Sequence, residues 1–385
     1  MDKTQLLFAL LRIAVCGEPV TEEVKAACTP ELLEQVYALA SGHDLAHLVG
    51  QAASKLGLQE SEALTKCKQA AMQAFGRYMQ LNYAYEQTCA VLEKGKIPFI
   101  PLKGSVLRNY YPEPWMRTSC DMDILVREKD LETATRVLEE KLAYRYQGKT
   151  SHDVSLFTSD GVHLELHYAT IEDYVSQSSE QILSGIWEKA TPVEGKTYHM
   201  AMPEALFYYY HIAHMAKHFV HGGCGIRPFL DLWIMDEKLE HDTNAREDLL
   251  ARGGLLTFTK AARKLSGIWF SGTPGDSLSG GMESFILEGG TYGNLENRVS
   301  LQQSRQGGKL KYAMSRIFLP YDILKHYYPI LQKYRALTPV YEMVRWHKLL
   351  FKGGVKRSVH ELRVNAAASD GQIRSARELL EHLGL

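Results

Sequence analysis

One stretch of this chain, from Ile97 to Val126, constrains its fold more than any other. It begins with an apolar run that ends at Gly104-Ser105, which predicts a strand, a glycine turn and a short helix. A loop with two prolines follows, and then the segment Asp121-Met122-Asp123 leads into three apolar residues. Because side chains on a strand alternate between two faces, the two aspartates should point one way and the methionine into the core. Two carboxylates on one face repel each other unless a cation lies between them, so removing either should relieve the repulsion.

A later stretch, Val162 to Tyr168, repeats the alternation and adds a third carboxylate. Glu165 lies between two leucines that we expect to be buried, so its side chain belongs to a polar face. The turn Ser159-Asp160-Gly161 separates two alternating runs, which predicts a β-hairpin with Glu165 in its second strand. Carboxylates on adjacent strands form an oxygen-ligand site for a hard divalent ion. We therefore predict that Asp121, Asp123 and Glu165 bind Mg²⁺, with Mn²⁺ as the alternative ion.

Histidines near Glu165 leave a second interpretation of this polar face open. His163 and His167 share the strand face of Glu165, and His152 lies shortly before the hairpin. Histidines together with a carboxylate would form a site for a transition metal. The other interpretation is that the histidines form a polar wall or contact a substrate phosphate. Enzymes that transfer phosphoryl groups usually bind Mg²⁺ through carboxylates and substrate phosphates, so their metal ligands are oxygen atoms.

Taken in order, these pieces resemble the signature of the polymerase β-type nucleotidyltransferase superfamily. The signature is an apolar residue before Gly104-Ser105, then Asp121-x-Asp123, then an acidic residue between apolar neighbours, here Glu165. Within that superfamily, the Leu102-Lys103-Gly104 opening and the Arg117 that precedes Asp121 are similar to an uncharacterised bacterial nucleotidyltransferase family. The resemblance implies an α+β fold, in which a small mixed-sheet nucleotidyltransferase core is flanked by N- and C-terminal helical domains.

The resemblance also implies a division of roles among the core residues. Asp121, Asp123 and Glu165 would be the catalytic residues as well as the metal ligands. The turn after the first strand would approach the β- and γ-phosphates through backbone N–H and hydroxyl groups. The residues predicted to bind the nucleotide in this core are Lys103, Gly104, Ser105 and Arg117. The two cations among them would neutralise the leaving pyrophosphate, although either could instead be a structural ion-pair partner.

The reaction that follows is transfer of a nucleoside monophosphate from ATP or another NTP to an acceptor hydroxyl or phosphate, with release of pyrophosphate. No motif names the acceptor, so a sugar phosphate, another small alcohol, a protein side chain and a tRNA end all remain open. Two other classes compete with the enzyme. One is a catalytically degenerate homologue that binds a nucleotide or a partner, and the other is a scaffold at the membrane surface.

The composition limits the partners and the location of the protein. The chain has 385 residues, of which 45% are hydrophobic, and its 44 basic residues nearly balance 45 acidic ones. A protein that acts on a polynucleotide usually carries a basic excess, so this balance argues against a nucleic-acid substrate. Six scattered cysteines without a C-x-x-C pair are typical of reduced thiols, which indicates a cytoplasmic protein. We expect neither a signal peptide nor a transmembrane segment, because no apolar run reaches about 18 residues.

Helical patterns flank the predicted sheet on both sides and divide the chain into three parts. We predict an N-terminal helical domain over residues 1–95, a nucleotidyltransferase core over 96–200 and a C-terminal helical domain over 201–385. The longest predicted helix runs from Glu60 to Lys94 and ends at a glycine with basic residues beside it. From Ser271 to Asn297 glycine is frequent, which predicts an ordered loop system.

A row of histidines marks the first helix of the C-terminal part, Glu204 to Val220. His211, His214 and His218 follow at steps of three and four, and His221 comes next, which places all four along one helical face. Either this is a semi-buried face bonded to backbone and neighbouring acids, or it faces the cleft and binds nucleotide or acceptor. In the second case His214 and His218 bind the nucleotide, and the phosphate charge raises their pKa values.

Two groups of charged residues stand out beyond this helix. Arg227 and Asp231 are spaced i, i+4 on a predicted helix, so their side chains could form an ion pair. Residues 333–357 hold seven basic side chains and one acidic one, interleaved with aromatic and aliphatic residues. Such a segment suits an anionic membrane surface or a polyanion, whereas a solvated helix face is the other interpretation.

Overall fold

The chain folds into the α+β arrangement that the sequence predicts, with a small mixed sheet between layers of helices. The computed structural model describes residues 1–170, 176–291, 293–306, 308–328, 330–351, 355–367 and 369–385.

Except for α4, the helices before the sheet begin at polar capping residues. They are α1 (Lys3–Leu11), which continues into a π-helical turn (Arg12–Cys16), α2 (Glu22–Ala27), α3 (Pro30–Gly42), α4 (Ala46–Lys55) and α5 (Glu62–Lys94). Thr29 accepts a hydrogen bond from the Leu32 amide, with Pro30 at the first helical position, and Ser61 caps α5 in the same way. The long helix that the sequence predicts is present as one continuous helix of 33 residues.

The main sheet has five strands in the spatial order β1-β2-β5-β4-β3. The elements of this region are β1 (Phe99–Pro101), α6 (Gly104–Leu107), β2 (Asp121–Val126), α7 (Leu131–Leu142), β3 (Arg145–Lys149), β4 (Asp153–Phe157) and β5 (His163–His167). Strands β2 and β5 are parallel and the other neighbours are antiparallel, so the sheet is mixed. The predicted hairpin is confirmed as β4 and β5. Helix α7 lies in the connection between β2 and its parallel neighbour β5.

Alternation along β2 and β5 separates an apolar face of the sheet from a polar one. Met122, Leu164 and Leu166 are buried in a core that also contains residues of α7. The second half of α5 adds Leu81 and Leu92 to the same core. The carboxylates of β2 and β5 lie on the opposite face, toward the C-terminal helices.

Helices make up most of the remaining chain. Between β5 and the first long helix lie α8 (Gln177–Ser184), α9 (Ile186–Lys189) and a small two-stranded sheet of β6 (Thr191–Pro192) and β7 (Met200–Ala201). The helices that follow are α10 (Glu204–Val220), α11 (Arg227–Lys238), α12 (Thr243–Arg252), α13 (Leu256–Ser271), α14 (Ser277–Gly289), α15 (Leu295–Gln306), α16 (Lys309–Ile317), α17 (Tyr321–Tyr327), α18 (Ile330–Lys333), α19 (Thr338–Phe351), α20 (Val355–Ala367) and α21 (Asp370–Leu383). Helix α10 has the bounds that the sequence predicts.

The glycine-rich stretch 271–297 differs from its prediction as a loop system. Helix α14 runs through it, with Asp276 as the N-cap and Gly280 and Gly281 inside the helix. Each glycine disfavours a helix by about 1 kcal/mol relative to alanine. Met282 and Ile286 are nevertheless buried where α14 packs on α13 and α21, and this packing outweighs the propensity. The loop prediction is therefore wrong over α14.

Two apolar cores hold the layers together. One joins α1–α4 to α10–α14 and includes Ile100, Leu102 and Leu125 from the sheet and its edge. The other fills the space between the sheet, α7 and α5. The helices before and after the sheet thus share a core, and the three-part division of the chain stays a prediction.

Candidate functional site

The register between the two parallel strands brings the predicted metal ligands together. Asp123 of β2 lies directly beside Glu165 of β5, and Asp121 lies beside His163. Because the strands are in phase, all these side chains project from the same face of the sheet. Two overlapping ligand groups result, each with its ligand atoms within 4.8 Å of one another: Asp123, Glu165 and His167, and Asp121, His163 and Glu165. Glu165 belongs to both.

Asp123 lies between two cationic side chains. Its Oδ1 accepts a hydrogen bond from Lys103 Nζ and another from His167 Nε2, both at 2.9 Å. Burial alone would raise the pKa of Asp123, but these two cations lower it well below its ordinary value. Burial alone would lower the pKa of His167, but the carboxylates of Asp123 and Glu165 raise it to about 9. At neutral pH this corner of the site is an ionised carboxylate between two positive charges.

Asp121 has the opposite electrostatics, although it lies on the same strand face. Burial and the nearby charges of Asp123 and Glu165 raise its pKa. The repulsion between carboxylates that the sequence predicts therefore mainly destabilises the ionised form of Asp121. The expectation that removal of either aspartate relieves repulsion applies to Asp121 alone, because the charge of Asp123 is compensated by Lys103 and His167.

Glu165 is more open to solvent than Asp123, with 24% of its side chain exposed against 8%. Its Oε2 lies 3.3 Å from His167 Nε2, and this contact is the main cause of its lowered pKa. An ionised and weakly basic carboxylate suits a metal ligand better than a proton acceptor. His152, Asp153 and His167 form a further group of possible ligands. Its only member in common with the carboxylate site is His167.

The turn between β1 and α6 presents Lys103 and Gly104 to the site. Lys103 has a φ of +45°, in a region that residues with a Cβ avoid, at a cost on the order of 1–3 kcal/mol. Its ion pair with Asp123 opposes that cost. A Cβ on Gly104 would lie 2.9 Å from Arg117 Nη1, so only glycine permits this close approach without moving the guanidinium.

Arg117 is held in place by a buried aspartate from α11. Its Nε and Nη2 donate to Asp231 Oδ1 and Oδ2, at 3.1 Å and 2.8 Å. The Tyr111 hydroxyl also donates to Asp231 Oδ1, at 2.8 Å. Burial alone would raise the pKa of Asp231, but Arg117 and these hydrogen bonds lower it. Arg117 thus has the structural ion-pair partner that the sequence leaves open, while its Nη1 lies beside Gly104.

The predicted ion pair between Arg227 and Asp231 is wrong. Arg227 Nη1 instead donates to Asp44 Oδ2 at 2.6 Å, and Asp44 lies in the connection between α3 and α4. The i, i+4 spacing is present on α11, but Arg117 approaches Asp231 from outside the helix and binds both of its oxygens.

The loop from Tyr111 to Cys120, referred to as the proline loop, is fixed by both helical layers. On the N-terminal side, Asp44 Oδ2 accepts a hydrogen bond from Thr118 Oγ1 at 2.9 Å. His47 Nε2 donates to the Met116 carbonyl at 2.7 Å. On the C-terminal side, Asp231 binds two residues of the loop. The loop that carries Arg117 is therefore hydrogen-bonded to residues of both the N-terminal and the C-terminal helical layers.

The carboxylates line a cavity of about 290 Å³ between the sheet and helices α10 and α11. Its wall combines the polar face of the sheet, the turn at Lys103 and one side of α10. The predicted site residues that line it are Lys103, Gly104, Arg117, Asp121, Asp123, Glu165, His214 and His218. Ser105 is buried and does not line the cavity, which separates it from the other residues predicted to bind nucleotide.

The histidine face of α10 borders this cavity through His211, His214 and His218, whereas His221 does not line it. His214 and His218 share a hydrogen bond between their Nε2 atoms at 3.2 Å. Burial and the charge of Lys103 lower the pKa of His214, and burial is the main cause that lowers the pKa of His218 to about 4. Both imidazoles are neutral at neutral pH in this structure, whereas the sequence interpretation expects raised pKa values next to phosphate.

Several residues of the site are not visible in the sequence patterns. Asp231 stands out only through its spacing from Arg227, which points to the wrong partner. Tyr111 and Asp44 have no local signal, because their partners lie 120 and 183 residues away along the chain. Tyr210 also lines the cavity, and it lies within a helix that reads as apolar.

Comparison with known proteins agrees with this geometry. A family model described as an uncharacterised nucleotidyltransferase matches residues 30–271, which include the whole five-stranded sheet, the proline loop and helices α10 and α11. No curated protein and no solved structure matches the chain. Because the matched range is more than half of the 385 residues, the chain belongs to this family of uncharacterised nucleotidyltransferases.

Proposed function

We propose that this protein is a Mg²⁺-dependent nucleotidyltransferase that moves a nucleoside monophosphate from ATP or another NTP to an acceptor and releases pyrophosphate. The observation that carries the proposal is the in-phase register of β2 and β5, which puts Asp121, Asp123 and Glu165 on one face beside a cavity. Membership of the family supports the general reaction class. The acceptor in this proposal is a small molecule or a protein side chain, because the nearly balanced charge argues against nucleic acid.

The donor atoms of the site fit a hard divalent ion. Asp123 and Glu165 are ionised at neutral pH, because hydrogen bonds and nearby cations lower their pKa values. Burial and carboxylate neighbours raise the pKa of Asp121, and a cation held between the three groups would lower it again. When bound, Mg²⁺ would neutralise triphosphate charge and lower the pKa of the acceptor hydroxyl, and Mn²⁺ would supply the same chemistry.

The other cavity residues would position the nucleotide by charge and by hydrogen bonding. Lys103 Nζ is 2.9 Å from Asp123 and would contact the triphosphate next to the metal ligands. Arg117 would present Nη1 near Gly104 while Asp231 holds the rest of its guanidinium. His214 and His218 are neutral imidazoles that share one N–H between their Nε2 atoms, so the pair would offer its other N–H to phosphate or acceptor. Ser105 has no part in this proposal, since it lies outside the cavity wall.

A catalytically degenerate binding protein is the second candidate, and one contact favours it. Asp123 Oδ1 is bonded to both Lys103 and His167, so a metal ion must compete with two cations for this oxygen. If Lys103 keeps that contact in the presence of nucleotide, the protein would bind an NTP through its cations without transferring the nucleotidyl group.

Transfer of an α-phosphate label distinguishes the two candidates. The protein is incubated with Mg²⁺, each α-labelled NTP in turn, and the metabolite and protein fractions of a cell extract. An enzyme moves the label into one fraction and releases pyrophosphate. A degenerate binding protein leaves the NTP intact, and that result would refute the proposed reaction while preserving nucleotide binding.

Glu165→Gln is the variant that tests the site, and Glu139→Gln on the exposed side of α7 is its matched control. We expect Glu165→Gln to lower transfer on the order of 100-fold and NTP binding much less, because the two aspartates still hold the triphosphate side. The control should behave like the parent protein. Equal losses of transfer and binding in Glu165→Gln would assign Glu165 a structural role.

The cytoplasm is the location that we propose. All six cysteines are free thiols, as is usual in a reducing compartment. In the part of the chain that the structure describes, no helix is both long and apolar enough to cross a membrane.

A further inference from the structure

Large apolar side chains are exposed mainly in one part of the protein. Among the described residues, 22 large apolar side chains are exposed, and 14 of them lie between Leu310 and Phe351. Leu310 and Phe351 are each 76% exposed, Tyr327 is 70% exposed and Met343 is 64% exposed. Soluble monomers rarely concentrate exposed apolar side chains in this way, so the segment has the composition of an interaction surface.

Basic side chains lie among these apolar ones. Residues 309–351 contain eight lysines and arginines but only two acidic residues. Lys311, Lys333 and Lys348 are exposed, while Glu342 is buried and bonded to Arg345 at 2.8 Å. This basic-apolar surface (residues 309–351) extends toward the N-terminus the basic segment that the sequence indicates at 333–357, of which residues 352–354 lie outside the described part.

The helices that carry the basic-apolar surface are tied to one another through backbone groups. Trp346 Nε1 of α19 donates to the Ile317 carbonyl at the end of α16, at 2.9 Å. The amide of Leu319 donates to Glu342 of α19, at 2.7 Å. The apolar residues described as buried within the segment are Tyr312, Leu324 and Leu331. Helices α16 and α19 are thus tied to each other, while most large apolar side chains of the basic-apolar surface face outward.

We infer that the basic-apolar surface binds the face of a bilayer that contains anionic lipids. The aliphatic and aromatic side chains enter the boundary between headgroups and acyl chains, and the lysines meet lipid phosphates. The protein lies on the bilayer in this arrangement, since none of the described helices is suited to span one.

Charge and apolarity together decide against other partners. A second copy of the same surface would bring two sets of eight basic residues together, and like charges repel. A nucleic acid would pair with the lysines but offers few apolar groups to Leu310, Met343 and Phe351. An anionic bilayer satisfies both kinds of side chain.

Co-sedimentation of the full-length protein with vesicles tests this inference. Vesicles of phosphatidylcholine are compared with vesicles that contain about 30% phosphatidylglycerol. Each is used at about 0.1 M and about 1 M salt, where the screening length falls from about 10 Å to about 3 Å. We expect binding to the anionic vesicles at the lower salt concentration, and loss of binding at high salt or without the anionic lipid.

Two triple variants separate charge from apolar contact. Lys311→Gln, Lys333→Gln and Lys348→Gln combined should weaken binding on the order of 100-fold, because each lysine near an anionic surface contributes about fivefold. Leu310→Ser, Met343→Ser and Phe351→Ser combined should weaken it by at least about tenfold, because buried apolar area is lost.

Matched controls carry the same kinds of substitution elsewhere on the surface. One combines Lys25→Gln, Lys129→Gln and Lys141→Gln, and the other combines Met72→Ser, Met79→Ser and Tyr83→Ser on α5. Both controls should bind anionic vesicles like the parent. Since all of these side chains are exposed, the thermal unfolding midpoint of every triple variant should equal that of the parent. Where the midpoint of a triple variant falls, its three substitutions are tested one at a time.

Three outcomes would overturn the inference. The first is equal binding to neutral and anionic vesicles, and the second is parent-like binding by the lysine variant. The third is an absence of vesicle binding. In that case, salt-sensitive RNA binding that the lysine variant loses would assign the surface to nucleic acid, and self-association that the serine variant loses would assign it to a second copy.

Discussion

Asp121 and Asp123 differ in what their charges do to the fold, although both point into the same cavity. Asp123 is bonded to Lys103 and His167, whereas Asp121 is surrounded mainly by other carboxylates. The lowered pKa of Asp123 means that its ionised form stabilises the folded protein. The raised pKa of Asp121 means that its ionised form destabilises it.

We therefore predict opposite stability changes for the two isosteric substitutions. Asp123→Asn should lower the free energy of unfolding by about 2 kcal/mol at neutral pH, because it weakens charge-assisted hydrogen bonds from two cations. Asp121→Asn should raise it by about 1 kcal/mol or less, because it removes repulsion. Urea unfolding followed by circular dichroism measures both changes, and each variant should also lose nucleotidyl transfer. Destabilisation of the same size in both variants would contradict this account of the charges.

A second prediction concerns Asp231, which touches Arg117 and Tyr111 but does not need to touch the nucleotide. Asp231→Asn should lower the free energy of unfolding by about 3 kcal/mol at neutral pH, because it leaves the buried Arg117 charge without its partner. The stabilisation from a lowered carboxylate pKa is complete above the ordinary value of about 3.9 and is lost as pH falls below it. The difference between parent and variant should therefore shrink in acid.

A double-mutant cycle with Arg117→Met provides the control for Asp231. The double variant should cost less stability than the sum of the two single variants, because neither charge is then left unpaired. NTP affinity should fall in Asp231→Asn as well as in Arg117→Met, since Arg117 loses its support beside Gly104. Additive costs in the cycle would show that the bidentate pair contributes little.

At the scale of single elements, local patterns predict the strands and most of the long helices. β2 and β5 follow from strict alternation, and α5 and α10 from long periodic runs that suit one structure only. α14 is missed because glycines conceal its few buried apolar residues. Patterns of this kind report the local preference of a segment for helix or strand. They fail where packing against distant helices determines its secondary structure, as it does for α14.

The candidate site divides along the same line. Asp121, Asp123 and Glu165 could be predicted because each belongs to a strand whose alternation fixes its face. Ion pairs between elements could not, because the bidentate bond of Arg117 to Asp231 spans 114 residues and depends on how α11 packs on the proline loop. Spacing on α11 alone favoured the wrong partner for Asp231.

For α10 we predict that His214 and His218 make the protein sensitive to acid. The pKa of His218 is lowered from 6.5 to about 4, so the unfolded chain binds a proton that the folded protein does not, and stability falls as pH decreases through this range. His214→Gln combined with His218→Gln should flatten the fall in the thermal unfolding midpoint over the same range. The double variant should also bind NTP more weakly, because the two imidazoles no longer line the cavity wall.

His221→Gln is the matched control for this double variant, since His221 follows the same helix but does not line the cavity. It should keep the acid sensitivity and the NTP affinity of the parent. If the double variant and the parent lost stability in parallel as pH decreased, the two imidazoles would be an ordinary polar face of α10.

At the scale of the whole molecule, the sheet depends on a helix that precedes it in the chain. Leu81 and Leu92 of α5 belong to the core beneath the sheet. We predict that a fragment of residues 96–200 shows no cooperative thermal transition, because it lacks these side chains and exposes the apolar face of the sheet. A fragment that begins at residue 76 keeps them and should unfold with a measurable transition. Cooperative unfolding of the shorter fragment would show that the core predicted over 96–200 is self-sufficient.

The proline loop has a mechanical consequence for the whole molecule. It is bonded to Asp44 and His47 on one side and to Asp231 on the other, so the two helical layers cannot turn against each other without displacing Arg117. Under the proposed function, nucleotide affinity would depend on the angle between the layers, and by reciprocity a bound nucleotide would resist any change in that angle. A twisting force on the C-terminal helices would then act on the cavity as an effector molecule does.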